Sequence, residues 1–135
     1  MVSIKSIEAL ESSSLPKRET PWGKEFLVLG GDGAPVTVKV IWVNPGECLS
    51  LQSHQDRDEQ WTILSNHGGT VTIETPSGAV LNDAAQQGAV HRVRKGMRHR
   101  LTAPSDHPLA VLEVAFGPFD QNDIKRFEDK YGRAG

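Results

Sequence analysis

The sequence predicts an all-β sandwich or barrel that ends in one helix, and three features of the chain indicate this. Short β-rich runs follow one another from Glu25 onward, and residues with turn propensity separate them at regular spacing, which is typical of sandwiches and barrels. The tail from Asp120 changes to a helical period. A chain of 135 residues is large enough for one hydrophobic core, so we expect a single domain.

The composition argues against several classes of partner. A formal net charge of −2 gives no general attraction to nucleic acid or anionic membranes. No segment approaches the ~18 consecutive apolar residues of a membrane span, and the N-terminus lacks the apolar stretch of a signal peptide. The single cysteine, Cys48, fits a reducing compartment. We therefore expect a cytoplasmic protein with no nucleic-acid and no membrane partner.

The elements are expected in a simple order, with an irregular arm at residues 1–19 and a barrel domain at residues 20–135. In the barrel domain, the run VTVKVIWV is mostly apolar on both faces and has one charged residue, Lys39. This pattern predicts a strand that is buried on both sides, with Lys39 at the rim of a cavity. The other strands are predicted at EFLVLGG, LSLQSH, EQWTILSN, GTVTIET, GAVL, AVHRVR, HRLTA and PLAVLEVAFG.

The C-terminal segment carries the signals of an α-helix. Asp120 is a candidate N-cap with Asp123 three residues later, and Ile124, Phe127 and Tyr131 recur at helical spacing. The pattern predicts a helix from about Asp120 to Tyr131 that packs its apolar stripe against the barrel.

Four polar residues of the predicted barrel form a candidate metal site. On a strand, Gln52 and His54 share a face, and an inward-facing polar pair is costly unless a ligand or a partner satisfies it. Glu59 follows His54 at a distance that allows a return on the adjacent strand, and His99 comes just after a later turn. Two imidazoles, one carboxylate and one amide oxygen can half-enclose a divalent first-row metal and leave positions for water or substrate.

Arg57 has two possible roles at this stage. Its planar guanidinium could grip a phosphate or a carboxylate. It could equally form an exposed ion pair with Asp56 or Asp58, which would contribute little to stability.

The spacing of these residues resembles the two signature motifs of the cupin superfamily. The first motif matches at Gly46, His54, Glu59 and Gly68, with Gln52 in place of its first histidine. The second motif is matched only in part. It matches at Gly88, Gly96 and His99. It departs at Arg94, where proline is usual, and at Ala103, where asparagine is usual.

A narrower resemblance covers nearly the whole chain, from about Thr20 to Arg133. The segments TPWG, VKVIWVNPGECLSLQSHQDRDEQW and FGPFDQNDIKRFEDKYGR look like the C-terminal cupin domain of type II phosphomannose isomerases. Glutamine in the first ligand position is usual in that family. The chain departs from the family at Gln60, where histidine is usual, and we expect this departure to remove a potential acid–base group near the metal, which bears on the activity more than on the fold.

The resemblance implies a double-stranded β-helix, a homodimer, and one divalent metal ion (Zn, Mn, Fe, Co or Ni) at Gln52, His54, Glu59 and His99. It also implies that the protein interconverts mannose 6-phosphate and fructose 6-phosphate, so its partner would be a small molecule, a sugar phosphate. Lys39 and Arg133 match cationic positions of the family, which makes them, with Arg57, candidate catalytic or phosphate contacts. Without the resemblance, Lys39 would be an edge-strand charge and Arg133 part of a solvated tail.

Two other functions are compatible with the same residues. Two histidines and a glutamate resemble the triad of non-haem iron oxygenases, and many cupins are dioxygenases. A non-catalytic, metal-bearing module that binds a sugar is the third possibility, and the missing histidine at Gln60 favours it.

Overall fold

The structure, a computed structural model, describes residues 9–134. Apart from a 3-10 turn at Ala9–Ser12, its regular elements within this range are all β-strands. They are β1 (Lys17–Thr20), β2 (Gly23–Leu29), β3 (Val36–Val43), β4 (Leu51–Ser53), β5 (Asp58–Ile63), β6 (Thr70–Glu74), β7 (Val80–Ala84), β8 (Val90–Val93), β9 (Arg98–Thr102), β10 (Leu109–Phe116) and β11 (Lys125–Glu128).

The strands form two antiparallel sheets that enclose one core. Sheet A has six strands in the order β1-β2-β3-β10-β5-β8, and sheet B has five in the order β11-β4-β9-β6-β7. Some neighbouring strands come from distant parts of the chain, as β3 and β10 do, and side chains from both sheets share one apolar cluster. The predicted all-β architecture is therefore confirmed.

The inner face of the barrel changes character along the strands. On β10, Leu109 and Val111 are fully buried and apolar, and the next inward residue is the carboxyl side chain of Glu113. On β5, the inward residues run from Ile63 to Glu59 in the same direction, because Val111 pairs with Ile63 and Ala115 pairs with Glu59. Alternate residues of a strand face one side. One end of the barrel is therefore an apolar core and the other a polar chamber.

The N-terminal arm expected at residues 1–19 ends in a strand of sheet A. Strand β1 pairs antiparallel with β2 over four residues, with Lys17 opposite Phe26 and Thr20 opposite Gly23. The first part of the arm, residues 1–8, lies outside the described residues.

The predicted C-terminal helix is wrong, because residues 9–134 contain no α-helix. The cap signal at Asp120 is real but closes only one turn. Its side chain accepts a hydrogen bond from Asn122 N at 2.9 Å, and its carbonyl oxygen accepts one from Asp123 N at 3.0 Å. In the same range, no helix has the length and apolar character needed to cross a lipid bilayer.

Strand β11 occupies the segment in which the helix was expected. It pairs with β4, so β4 is hydrogen-bonded on both sides, to β11 on one side and to β9 on the other. Ile124, Phe127 and Tyr131 are only half-buried. The helical spacing of these apolar residues therefore does not decide the conformation, because pairing with β4 also satisfies the backbone groups of an edge that would otherwise be open.

Candidate metal centre

Three candidate ligands meet inside the polar end of the barrel. Glu59 comes from β5 of sheet A, His99 from β9 of sheet B, and His54 follows β4 directly. One donor atom from each lies within 4.8 Å of the others, and all three side chains are buried. Glu59 Oε1 is 3.2 Å from His99 Nε2 and 3.6 Å from His54 Nε2. The structure therefore brings these three sequence-predicted residues into one cluster.

Hydrogen bonds on the far side of each ring orient the two imidazoles. His54 Nδ1 donates to the carbonyl oxygen of Asp123 at 2.7 Å, and His99 Nδ1 donates to that of Met97 at 2.9 Å. A carbonyl oxygen can only accept, so each neutral ring carries its proton on Nδ1. The Nε2 lone pairs then point to the centre of the cluster, which is the arrangement that metal-bound histidines use.

The cluster contains polar atoms that the protein itself leaves unsatisfied. Glu59 Oε1 and His99 Nε2 are buried without a hydrogen-bond partner among the described residues. An unsatisfied buried polar atom costs about 1–3 kcal/mol. A cation bound between these atoms would remove that cost, so the donor set fits a divalent transition metal.

The protonation states also suit a cation. Burial lowers the pKa of the His54 imidazole to about 4, assisted by the positive charges of its neighbours, so the ring is neutral near pH 7. Burial alone would raise the pKa of Glu59, but its close contacts with His99 and His54 outweigh this effect and hold the pKa well below its ordinary value. The cluster therefore offers the neutral imidazole of His54 and the carboxylate of Glu59, beside the ring of His99.

Gln52, the predicted fourth ligand, lies beside this cluster. It is directly opposite His99 on the neighbouring strand and lines the same cavity as His54 and Glu59. Its amide oxygen accepts a hydrogen bond from Ser50 Oγ at 2.7 Å. A carbonyl oxygen has a second lone pair, so ligation by Gln52 stays a prediction.

Arg57 is buried. Of the two roles considered for it, the exposed ion pair with Asp56 or Asp58 does not form. Only 6% of the residue is exposed. Its Nε lies 3.2 Å from Glu59 Oε2. An exposed pair was plausible from sequence because three acidic residues surround Arg57 there, but the fold directs its side chain to the third of them, Glu59.

The partners of the Arg57 guanidinium come largely from the distant C-terminal segment. One Nη donates to the carbonyl oxygen of Asp120 at 3.0 Å, and the group lies 4.4 Å from the ring centre of Phe119. The other Nη lies 3.3 Å from His54 Nε2, a long contact that an ion bound by the imidazoles would replace. Gly117 allows this close packing, because a Cβ there would lie 2.3 Å from the carbonyl oxygen of Asp56.

Lys39 is an interior residue and not an edge-strand charge. Strand β3 has neighbours on both sides, and Lys39 is buried on its inner face. Its ammonium group donates to Glu25 Oε1 at 2.9 Å and to Gln121 Oε1 at 3.3 Å. It also lies 4.4 Å from the ring centre of Phe119. The predicted position of Lys39 at the rim of a cavity agrees with this geometry.

Arg133 is half-buried and lines the same cavity. Its guanidinium is held by both carboxylate oxygens of Asp129, with Nε at 2.8 Å and one Nη at 3.1 Å. The catalytic or phosphate-binding roles given to Lys39, Arg57 and Arg133 stay predictions, but all three side chains lie around one cavity.

Sequence reasoning missed Glu113, which faces the cluster from β10. Trp61 Nε1 donates to its Oε1 at 3.1 Å. Burial, together with the nearby charge of Glu59, raises its pKa well above the ordinary value. A signal was available, because Glu113 interrupts the inward-facing apolar series of the run PLAVLEVAFG at a position that alternation places inside.

Gln60, the departure from the family pattern, points away from the cluster. Glu59, Trp61 and Ile63 are the buried residues of β5, and Gln60 alternates with them on the outer face, opposite Arg92 of β8. A histidine at this position would not lie beside the metal ligands. The expectation that Gln60 removes an acid–base group from the site is therefore wrong, for reasons of strand geometry.

The cavity over the cluster is small, at about 30 Å³, enough for one or two water molecules. The C-terminal segment covers it, with Phe119 stacked on Arg57 and Asp123 accepting the backbone amides of Gln55 and Asp56 at 2.9 Å each. Farther along, the hydroxyl of Tyr131 donates to Glu47, and Lys130 pairs with the same carboxylate at 2.8 Å. At this volume the cavity does not hold a sugar-sized ligand as it stands.

Solved structures with related architecture support the fold. Oxalate decarboxylase from Bacillus subtilis superposes with a TM-score of 0.73 over 90% of this chain and 32% of that chain, at 17% identity. The capsular polysaccharide assembling protein CapF from Staphylococcus aureus gives 0.72 over 85% of this chain and 34% of that chain, at 16% identity. At this identity the likeness concerns the fold, which is that of the cupins.

Proteins related in sequence identify the family more narrowly than the shared fold does. The alginate biosynthesis protein AlgA of Pseudomonas fluorescens is 37% identical over 116 residues, 84% of this chain and 22% of that protein. The xanthan biosynthesis protein XanB of Xanthomonas campestris is 37% identical over 131 residues, 96% of this chain and 26% of that protein. The mannose-1-phosphate guanylyltransferase ManC of Salmonella typhimurium is 36% identical over 114 residues, 84% of this chain and 22% of that protein.

The chain thus spans about a quarter of the length of these relatives. The family described as mannose-6-phosphate isomerase C-terminal matches residues 11–129, which is most of the chain and includes every candidate ligand. The chain belongs to the mannose-6-phosphate isomerase C-terminal family.

Proposed function

We propose that this protein is a metal-dependent sugar-phosphate isomerase that interconverts mannose 6-phosphate and fructose 6-phosphate. The observation that carries the proposal is the convergence of two imidazole lone pairs and one carboxylate, with unsatisfied buried atoms, inside a barrel of the mannose-6-phosphate isomerase C-terminal family. Membership of this family supports the choice of reaction, and the buried cluster supports a metal-dependent site for it.

His54, Glu59 and His99 would hold the ion, with Gln52 beside them. A divalent ion bound there would polarise the substrate carbonyl and stabilise the negative charge that develops on oxygen as a proton moves between C1 and C2.

The surrounding side chains of the chain have separate tasks in this proposal. Arg57 balances the charge of Glu59 and presents a guanidinium edge to the chamber. Lys39, fixed by Glu25 and Gln121, adds a second cation at the rim. Both are held by hydrogen bonds before substrate arrives, so little ordering is needed when charge develops.

Closure of the C-terminal segment would complete the site. Asp123 accepts a hydrogen bond from His54 Nδ1 through its carbonyl oxygen and hydrogen bonds from two loop amides through its carboxylate. The segment therefore orients one ligand and excludes water at the same time, two effects that enzymes commonly obtain from a closing loop.

The test combines metal analysis with an isomerase assay. Purified protein should contain about one divalent ion per chain and convert mannose 6-phosphate to fructose 6-phosphate, and a chelator should stop the conversion. His99→Ala should lower both metal content and turnover by more than about 100-fold, the upper range for loss of a group that supports a metal site. The exposed control His67→Ala should change neither. Metal-loaded wild-type protein without turnover would refute the isomerase.

The same experiment also tests the two other candidate functions, a dioxygenase and a non-catalytic binding module. A dioxygenase of the two-histidine, one-carboxylate type would need iron(II) and would consume oxygen with its substrate, whereas an isomerase needs neither. A non-catalytic module would bind metal and sugar without conversion. The expected cytoplasmic location and homodimer stay predictions.

A further inference from the structure

Besides Arg57, three further arginines line the cavity of the candidate metal centre. Arg18 comes from β1, Arg126 from β11, and Arg133 from the chain that follows β11. Like charges repel, so three guanidinium groups at one cavity require negative partners. The partners present in the protein determine whether the cluster is already balanced.

Arg18 is only partly balanced. Its Nε lies 2.9 Å from Glu25 Oε1, and the same oxygen also accepts the ammonium group of Lys39 at 2.9 Å. One carboxylate is thus shared by two cations, which leaves an excess positive charge at this side of the cavity.

Arg126 is the least balanced of the three. Its Nε is buried with no hydrogen-bond partner among the described residues. Burial, and after it the positive charges of Arg133 and Arg18, lower its pKa below the usual range, whereas Asp129 acts in the opposite direction. Asp129 is itself engaged by Arg133 through both oxygens. The Arg126 side chain therefore adds a second uncompensated positive charge.

The cluster lies next to the candidate ligands. Arg126 is directly opposite Gln52 in the pairing of β11 with β4, and Gln52 is directly opposite His99 in the pairing of β4 with β9. Residues paired in this way share a face of the sheet, and neighbouring strands are about 4.8 Å apart. Arg126, Gln52 and His99 thus form a row on the inner face that leads from the cations to the metal ligands.

We propose that Arg18, Arg126 and Arg133 form a subsite for the phosphate group of the substrate, while the sugar extends along this row toward the metal ligands. A sugar phosphate carries close to two negative charges near neutral pH, which matches the excess of positive charge. Guanidinium groups bind two phosphate oxygens at once. The inference rests on the proposed function only for the sugar to which the phosphate is attached.

Two of the three arginines belong to the segment that covers the cavity. When that segment moves away, Arg126 and Arg133 leave with it, and Arg18 stays on sheet A. A bound phosphate would therefore link the segment to the barrel and hold the site closed around the substrate.

The test uses inorganic phosphate as the probe and calorimetric titration of the metal-loaded, full-length chain at low ionic strength. Arg126→Gln and Arg133→Gln should each weaken phosphate binding roughly 10- to 100-fold, the scale of a charged hydrogen bond. Arg126→Lys should lose less, because it keeps the charge. Arg92→Gln, which removes an exposed arginine from the outer face of sheet A, should bind phosphate as wild type does.

Metal content and circular dichroism establish that each variant is folded, and if Arg126→Gln does not fold, Arg133→Gln and Arg126→Lys decide. Phosphate binding that is lost in the variants supports the subsite even if wild-type protein has no isomerase activity, in which case the proposed function alone fails. Equal phosphate affinity in wild type and Arg133→Gln, or no phosphate binding by wild type, overturns the subsite even if isomerase activity is present.

Discussion

The two ends of the barrel are built from the same strands, yet they differ in what their inner faces contain. At one end, Leu109, Val111 and Ile63 pack with almost no exposed surface. At the other, Glu113 and Glu59 occupy equivalent positions one or two inward residues farther along β10 and β5. Both ends share one backbone geometry, so the difference lies in the side chains alone.

The polar end is expected to contribute less to the stability of the fold than the apolar end. Buried apolar side chains stabilise a fold by about 1.5–3 kcal/mol each, whereas buried charged groups require partners to avoid a penalty. In the polar chamber, those partners are other buried groups and, in the proposed function, an ion. The apolar end should therefore respond to changes of packing, and the polar end to changes of charge, metal and pH.

The largest effect is expected at the polar end, for Arg57→Ala in metal-free protein. Removal of Arg57 leaves Glu59 as a buried charge without its close partner, which costs about 3–5 kcal/mol in similar cases. Urea unfolding of metal-free protein would measure the loss, with Arg92→Ala as the exposed control. Added divalent metal should restore part of the stability, because an ion replaces the lost positive charge. A loss below about 1 kcal/mol would indicate an exposed pair instead.

At the apolar end, Leu109→Ala should destabilise the protein by about 2–5 kcal/mol, because it leaves a cavity among fully buried side chains. The amount of metal bound per folded chain should stay unchanged, since Leu109 does not face the ligands. Urea unfolding and elemental analysis give the two quantities. Loss of metal from folded Leu109→Ala protein would contradict the division of the barrel into two ends.

The pH dependence should also come from the polar end. Burial lowers the pKa of His54 from about 6.5 to about 4, so between these values the unfolded chain binds a proton that the folded, metal-free protein does not. Stability should therefore fall as pH decreases from about 6.5 to about 4, by roughly 3 kcal/mol.

Unfolding of metal-free protein at a series of pH values measures this effect, and His54→Gln should have a shallower dependence in the same window. The exposed His67→Gln should behave as wild type. An identical slope for wild type and His54→Gln would assign the dependence to other groups.

The smallest effect is expected for Gln60→His, which restores the residue usual in the family. Because position 60 faces outward from β5, metal content and turnover should change by less than about twofold, and stability by less than about 0.5 kcal/mol. A large gain in turnover would mean that this position communicates with the chamber despite facing away from it.

Sequence reasoning predicted those features that depend on local periodicity. Alternation predicted the strands, and the spacing of His54 and Glu59, with His99 after a later turn, predicted the cluster that the structure brings together. Glu113 followed the same rule and was overlooked. The outward position of Gln60 follows from the same alternation, since its neighbour Glu59 faces inward.

The features that sequence reasoning missed depend on residues far apart in the chain. Arg57 is buried because Phe119 and Asp120, more than 60 positions away in the chain, cover it. The segment after Asp120 is a strand because β4 offers it a hydrogen-bonding edge, although its apolar spacing and its cap indicated a helix. Local signals could not choose between these conformations, because the choice depends on tertiary pairing.

The position of β11 in the chain has a consequence for the order of events during synthesis. The ribosome produces Gln52, His54, Glu59 and His99 before any residue of β11. Until Asp123 emerges and docks, Nδ1 of His54 has no carbonyl acceptor and its ring is free to rotate. The nascent barrel is then open at its polar end. An ion that enters at that stage needs no reopening of the mouth, and docking of the last strand would enclose it.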